Sequence, residues 1–249
     1  MRLTVDEQGH CSGSRNPVFF AHPSEIAHGI LGAMFVLNFH CIGRPKREFA
    51  DGEQDVCLER EQFVEILDAV SDRSDVQLTF DDGNKSDVTE ALPELIRREL
   101  RAQFFICSAR LGTPGFVDER DVRELCLAGM SIGSHGMDHV RWRRLRAPAI
   151  HREIVQAKRV LEDALQAPVE TAACPFGAYD RRTLSALRAA GFQRVYTSDG
   201  GRASPDDWLV ARNTVRRSDS AESVRRVLDD FGETPPLVHR AKRWVKQRR

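Results

Sequence analysis

Apolar residues along this chain of 249 residues recur with two different periods, and the two kinds of segment alternate. Short apolar runs predict β-strands, whereas segments with an apolar residue at every third or fourth position predict amphipathic helices. The predicted strands cover residues 32–39, 76–80, 103–107, 130–133, 171–174 and 194–197. The predicted helices cover residues 61–70, 88–100, 118–128, 147–165 and 181–190.

This alternation predicts an α/β fold with a parallel sheet, because a helix must return the chain to the start of each parallel strand. No linker rich in proline, glycine or serine interrupts it, so we expect a single distorted (β/α) barrel rather than two domains. We place the barrel at residues 29–235, between an irregular N-terminal extension at residues 1–28 and a basic C-terminal tail at residues 236–249. Catalytic residues of such barrels lie on the loops that follow the carboxyl ends of the strands.

Charge and cysteine content narrow the classes of function. Lys plus Arg and Asp plus Glu both total 37, so no net field attracts nucleic acid and no such partner is expected. The chain shows no signal peptide and no run of about 18 apolar residues, which predicts a cytoplasmic protein. Six cysteines without a CxxC pair predict reduced thiols. The basic tail is either solvated or in peripheral contact with an anionic membrane surface.

Two predicted strands end in residues that can bind a metal ion. Asp81 and Asp82 follow one strand, and His135 and His139, four residues apart, follow another. Each pair alone is weak evidence, because an aspartate pair before a glycine is common in solvated turns. Together, one aspartate and two imidazoles form a ligand set with open positions for water and substrate. A divalent cation there would activate water while the second aspartate accepts its proton, which is the chemistry of acyl-bond hydrolysis.

Two aromatic residues near these loops are candidates for contact with a substrate. Phe176 lies with Pro175 and Gly177 in a third strand-to-helix loop, which forms either a wall of the site or a plain turn. Trp142 is flanked by arginines, so it could stack on a sugar ring, or it could belong to the start of an amphipathic helix.

The motifs TFDDG, SHGMDH and CPFG, at residues 79–83, 134–139 and 174–177, resemble those of the polysaccharide deacetylases of the NodB-homology type, carbohydrate esterase family 4. The resemblance covers roughly residues 30–215. It implies a distorted barrel with about seven parallel strands and a divalent metal, usually zinc, with cobalt, nickel or manganese as alternatives.

The resemblance also assigns roles to individual positions. Asp81 matches the general base. The metal ligands of the family match Asp82, His135 and His139, and the residues lining the substrate groove match Pro175, Phe176 and Gly177. A backbone N–H near Gly177 or Ala178 would bind the oxyanion.

The chain departs from the family pattern at two positions. Ala173 stands where many members carry an arginine that pairs with the catalytic base, and Arg212 is our candidate for that partner, the alternative being a surface arginine. The general acid of the family is a histidine after a late apolar strand. His239 fits that position, and His40, at the end of the first predicted strand, is the rival.

The sequence thus predicts a metal-dependent hydrolase that removes N-acetyl groups from amino-sugar residues. The substrate would be a glycan, a lipid-linked sugar or a small N-acetylated saccharide. A deformylase or deacylase of a non-polysaccharide amide remains an alternative, because the same chemistry serves many acyl groups. A catalytically silent carbohydrate-binding barrel is the alternative from another class. The sequence leaves the oligomeric state open.

Overall fold

The computed structural model describes residues 33–230. The predicted N-terminal extension, the basic tail with its membrane contact, and His239 lie outside the described residues, as do the domain boundaries that we placed near both ends. No helix within residues 33–230 is long and apolar enough to cross a bilayer.

One nine-stranded sheet organises the described part of the chain. Its strands are β1 (Met34–Phe39), β2 (Val76–Asp82), β3 (Ala102–Ile106), β4 (Ser131–Ser134), β5 (Thr171–Ala173), β6 (Arg194–Thr197), β7 (Arg202–Ala203), β8 (Leu209–Ala211) and β9 (Asn213–Thr214). The order is β7-β1-β2-β3-β4-β5-β6-β8, and β9 also pairs with β1. Every pair is parallel except β1 with β7.

A single residue, Arg212, joins the two ends of this sheet. It separates β8, which pairs with β6, from β9, which pairs with β1. The chain therefore crosses from one edge of the sheet to the other at this point, and the sheet becomes a nearly closed barrel. This confirms the fold predicted from the sequence. The two-residue strands β7 and β9 are additions that are too short to give a periodic signal.

Helices cover the outside of the sheet. They are α1 (Arg60–Val70), α2 (Leu92–Arg97), α3 (Glu119–Leu127), α4 (Ala147–Ile150), α5 (Ala157–Leu165), α6 (Arg181–Ala189) and α7 (Ala221–Asp230). A π-helical segment, Asp87–Ala91, precedes α2, and another, His151–Gln156, joins α4 to α5. Helix α7, which packs against α1, was not predicted.

Strand alternation sorts the core into two clusters. Side chains on one face of β1 to β3 meet the helices, where the ring centroids of Phe80 and Phe104 are 4.7 Å apart. The other face contributes to a smaller cluster that includes Val36, Phe105 and Val210. Since residues two apart on a strand share a face, Asp81 continues the row that faces this second cluster.

Cys41 and Cys57 form a disulfide across 16 residues, so the prediction of reduced thiols is wrong for this pair. Cys41 follows β1 and Cys57 precedes α1, and a bridge between Ile42 and Leu58 brings the two segments together. A spacing of 16 residues has no sequence signature, which is why the pair was missed. Among the described residues Cys107 is a buried free thiol.

Candidate active site

Asp81 and Asp82 reach one site because the backbone turns at the end of β2. Successive side chains of a strand point to opposite faces, so two adjacent carboxylates need such a turn to converge. Asp82 has φ 81° and Gly83 has φ 71°, both in the left-handed region. A Cβ at Gly83 would lie 3.1 Å from the Ile106 side chain, so glycine also suits the packing. As a result His135 Nε2 lies 3.7 Å from Asp81 Oδ2 and 3.6 Å from Asp82 Oδ1.

Asp82, His135 and His139 form a cluster suited to a metal ion. One ligand atom from each residue lies within 4.8 Å of the others, and His139 Nε2 is 3.1 Å from Asp82 Oδ1. Asp82 Oδ1 is buried and accepts no hydrogen bond from the described residues. A buried carboxylate oxygen without a donor is costly unless a cation binds it. The donor set of one oxygen and two nitrogens therefore fits a divalent ion such as zinc.

The imidazoles present the protonation state that metal binding requires. His135 Nδ1 lies 2.9 Å from the Ala173 carbonyl oxygen, which can only accept, so Nδ1 carries the proton and Nε2 offers its lone pair. Burial lowers the pKa of His135 and lowers that of His139 to about 4, against the attraction of the nearby aspartates. Both rings are therefore neutral at neutral pH.

Asp81 forms a buried, bidentate ion pair with Arg212. Nη1 and Nη2 each donate to a carboxylate oxygen at 2.7 Å, and Asn38 Nδ2 donates to Asp81 Oδ2 at 3.0 Å. Arg212 is held in turn by the Thr197 carbonyl and by Asn38 Oδ1. Burial alone would raise the pKa of Asp81, but the positive charge of Arg212, with that of His135, lowers it well below its usual range. The contact proposed from the sequence to compensate for Ala173 is present.

Phe176 is the exposed aromatic residue of the third loop. Its side chain is 51% exposed, its ring centroid lies 4.5 Å from that of His139, and the Arg141 guanidinium lies 4.3 Å from its centroid. Pro175 and Gly177 on either side are buried. The alternative interpretation of this loop as a helix start holds as well, since Asp180 caps α6.

The predicted oxyanion donors are already used by the turn itself. The Gly177 N–H donates to the Cys174 carbonyl at 2.9 Å, and the Ala178 N–H donates to the Pro175 carbonyl at 3.0 Å. Placing the oxyanion donor at Gly177 or Ala178 is therefore wrong, because both protons are engaged. No described group accepts a hydrogen bond from the Phe176 N–H.

Trp142 does not line the site, which corrects its assignment as a sugar-stacking residue. Its side chain is 1% exposed and packs in the main core. Indole Nε1 donates to Glu153 at 3.2 Å, and the same carboxylate accepts from the Met137 and Asp138 backbone N–H groups. Trp142 thus belongs to the support of the loop that carries His139. The sequence did not reveal this because Glu153 lies on a different segment.

Two further residues approach the metal ligands. His40 directly follows β1 and interacts electrostatically with Asp81 and Asp82, and its buried Nδ1 has no hydrogen-bond partner among the described residues. Arg110 Nη1, after β3, lies 3.5 Å from Asp82 Oδ1. Arg110 was not predicted from the sequence as a site residue, although its position after a strand was a signal for one.

Comparison with known proteins agrees with this geometry. A family model for polysaccharide deacetylases matches residues 68–195, just over half of the chain. The chain belongs to the polysaccharide deacetylase family. The resemblance drawn from the three motifs is confirmed, and the chain is a hydrolase of carbon–nitrogen amide bonds.

Individual relatives in this family are distant. YxkH of Bacillus subtilis (strain 168), itself only predicted to be a polysaccharide deacetylase, is 26% identical over 197 residues, which are 74% of this chain and 71% of YxkH. The chitooligosaccharide deacetylase of Bradyrhizobium sp. (strain ANU 289) is 28% identical over 141 residues, or 56% of this chain and 61% of that protein. The deacetylase PplD of Streptococcus pyogenes, solved in complex with acetate, shares the fold with a TM-score of 0.69 at 18% identity, over 80% of this chain and 98% of PplD.

Proposed function

We propose that this polysaccharide deacetylase is a metal-dependent enzyme that hydrolyses the N-acetyl group of amino-sugar residues. One observation carries the proposal, namely that an ionised carboxylate held by Arg212 lies beside a cluster of metal-ligand residues. Asp81 Oδ2 is 3.7 Å from His135 Nε2, so the base lies directly beside the metal ligands. The relative from Bradyrhizobium, named for chitooligosaccharides, supports a sugar substrate.

Asp82, His135 and His139 would hold the divalent cation, with zinc favoured by the two imidazole nitrogens. When bound, such an ion polarises the acyl carbonyl and acidifies water. Asp81 then accepts a proton from the attacking water, whose oxygen bonds to the carbonyl carbon. Arg212 keeps Asp81 ionised and fixes the direction of its oxygens. The carbon–nitrogen bond breaks, acetate leaves, and the sugar nitrogen gains a proton.

His40 is our candidate for the group that delivers this proton to the nitrogen. It directly follows β1 and interacts electrostatically with Asp81 and Asp82, and its buried Nδ1 has no hydrogen-bond partner among the described residues. His239 stays the alternative that the sequence suggested. Replacing each histidine with glutamine separates the two, because loss of the acid lowers kcat by about 100- to 10,000-fold.

In the proposed complex the sugar ring packs against the exposed side chain of Phe176. Its exposed ring adjoins His139, and carbohydrate rings pack well on aromatic faces. The Phe176 N–H donates no hydrogen bond to a described residue. It therefore becomes the candidate oxyanion donor in place of Gly177 and Ala178.

The Cys41–Cys57 disulfide bears on the cellular location of the protein. Disulfides persist mainly in oxidising compartments, so the Cys41–Cys57 bond weighs against the cytoplasmic location predicted from the sequence. The substrates to be tested therefore include glycans of the cell surface or exported glycans, besides lipid-linked sugars and small saccharides.

The test measures acetate release from N-acetylated glycans, including chitooligosaccharides, by the zinc-loaded and the chelated full chain. Asp81→Asn should abolish release, and Asp138→Asn is the matched control because Asp138 pairs with Arg152 at the surface. Formylated and longer-chain acyl amides in the same panel test the deacylase alternative. Release from those amides alone would replace the acetyl assignment, and stoichiometric zinc binding without any release would favour a silent binding barrel.

A further inference from the structure

Arg110 is a cation at the edge of the active site, and its ion pair among the described residues is with Asp82, a proposed metal ligand. Its Nη1 lies 3.5 Å from Asp82 Oδ1, beyond hydrogen-bonding distance, and its side chain is 25% exposed. Within the described chain no other carboxylate pairs with it. Asp82 is also a proposed metal ligand. With a metal ion bound, its negative charge would be offset by that ion and would no longer neutralise Arg110. A guanidinium group in this position is available to a ligand.

A neighbouring arginine shows the contrast. Arg47 and Arg110 lie over the same Phe116 ring, at 4.5 Å and 4.9 Å from its centroid. Arg47 is neutralised by a bidentate ion pair with Glu53 and also donates to Asn84 Oδ1. It therefore has a structural role, which Arg110 lacks.

Further cations extend from this point along the same end of the barrel. On the loop that follows β1, Arg47 lines an open cleft of about 690 Å³ with three exposed charged residues, of which Arg44 and Lys46 are basic and Glu48 is acidic. On the loop that follows β4, the Arg141 guanidinium lies 4.3 Å from the centroid of the half-exposed Phe176 ring, which adjoins His139. Neither Arg44, Lys46 nor Arg141 forms an ion pair within residues 33–230, although the sequence as a whole has equal numbers of acidic and basic residues.

We propose that the substrate is an anionic glycan, and that Arg110 binds a carboxylate or phosphate group carried on or next to the N-acylated sugar. This inference rests on the proposed deacetylase function and names its substrate class. Guanidinium groups match both oxyanions through paired N–H donors. The Phe116 face holds the guanidinium plane, and the cleft at Arg44 and Lys46 accommodates further anionic residues of a chain.

The experiment compares three N-acetylated probes: neutral chitotetraose, a hyaluronan tetrasaccharide that carries carboxylates, and N-acetylglucosamine 1-phosphate. The ratio of kcat/KM for each anionic probe to that for chitotetraose is measured with the wild-type chain, Arg110→Gln and Arg123→Gln. Arg123 is a matched control, because it is a half-exposed arginine on α3 paired with Glu119. We expect a ratio above 10 for at least one anionic probe, a 10- to 100-fold fall in that ratio for Arg110→Gln, and no change for Arg123→Gln.

Binding is measured separately, by calorimetry with the Asp81→Asn variant, so that failure of catalysis does not hide the result. Anionic probes should bind more tightly than chitotetraose, and combining Asp81→Asn with Arg110→Gln should remove the difference. This result would support the anionic subsite even if none of the probes released acetate. Absence of acetate release would count against the proposed function, not against the subsite. Equal affinity for neutral and anionic probes, or equal losses for both on replacing Arg110, would overturn the inference. The carboxylate and phosphate arms identify which oxyanion is bound.

Discussion

The Asp81–Arg212 pair can be tested by replacing Arg212 with methionine, which has similar length and no charge. Both side chains are nearly inaccessible to solvent, at 3% and 0% exposure, and two 2.7 Å hydrogen bonds join them. Removing one partner of such a pair leaves the other charge buried, at a cost of about 3–5 kcal/mol. For a chain of this size, that corresponds to a fall in Tm of roughly 6–20 °C.

A double-mutant cycle separates the pair from the other contacts of Arg212. Asp81→Asn, Arg212→Met and the double variant are unfolded in urea with a chelator present, and the coupling energy should be about 2–3 kcal/mol. Arg152→Met is the matched control, because its pair with Asp138 is exposed and is expected to contribute under about 1 kcal/mol.

The same substitution makes a prediction about pH. In the wild-type chain Arg212 lowers the pKa of Asp81, so the stability that this pair contributes is present above about pH 4 and is lost as the pH falls further. Without Arg212, burial raises the pKa of Asp81, and the acidic limb of the kcat/KM profile should move to higher pH by roughly one unit or more. An unchanged profile together with a coupling energy below about 0.5 kcal/mol would refute this explanation of how the base is held ionised.

Three further predictions concern other parts of the site and its support. Trp142→Ala should destabilise the fold by about 3–5 kcal/mol, because the indole is buried. Phe176→Ala should leave the thermal midpoint unchanged and raise KM for oligosaccharides. The reverse pattern would identify Trp142 as the residue that contacts the sugar. Replacing both Cys41 and Cys57 with serine should cost about 3 kcal/mol in urea unfolding, and two extra free thiols in a titration of the unreduced wild-type chain would contradict the disulfide. Zinc at 100 times its Kd should stabilise the wild-type chain by about 2.7 kcal/mol; equal stabilisation of His135→Ala would exclude His135 as a ligand.

The main strands and the metal ligands could be predicted because their signals are local. Each of β1 to β6 is an apolar run within a few residues of its predicted bounds, and the loops that follow β2 and β4 carry the aspartates and histidines. Arg212 could be proposed because a buried base needs a cation and its usual source was missing at Ala173. The structure adds that Arg212 is also the residue at which the barrel closes.

The remaining features depend on contacts between distant segments. Trp142 packs in the main core and donates its indole N–H to Glu153, 11 positions away, and neither residue alone signals that contact. The Cys41–Cys57 bond depends on the return of the chain to β1, and the position of Arg110 depends on β2 and β3 being neighbours. The error at Gly177 and Ala178 has a local cause, since a tight turn uses its own N–H groups in ways that a motif does not reveal.

The most direct test of the account follows the oxygen that enters the product. The zinc-loaded full chain, its chelated form and Asp81→Asn are incubated with an N-acetylated glycan substrate in ¹⁸O-labelled water, and the released acetate is analysed by mass spectrometry. The account predicts acetate that carries one ¹⁸O atom from the zinc-loaded chain, with release reduced to background by chelation or by Asp81→Asn. Acetate release that persists at the wild-type rate without metal, or without the Asp81 carboxylate, would contradict it.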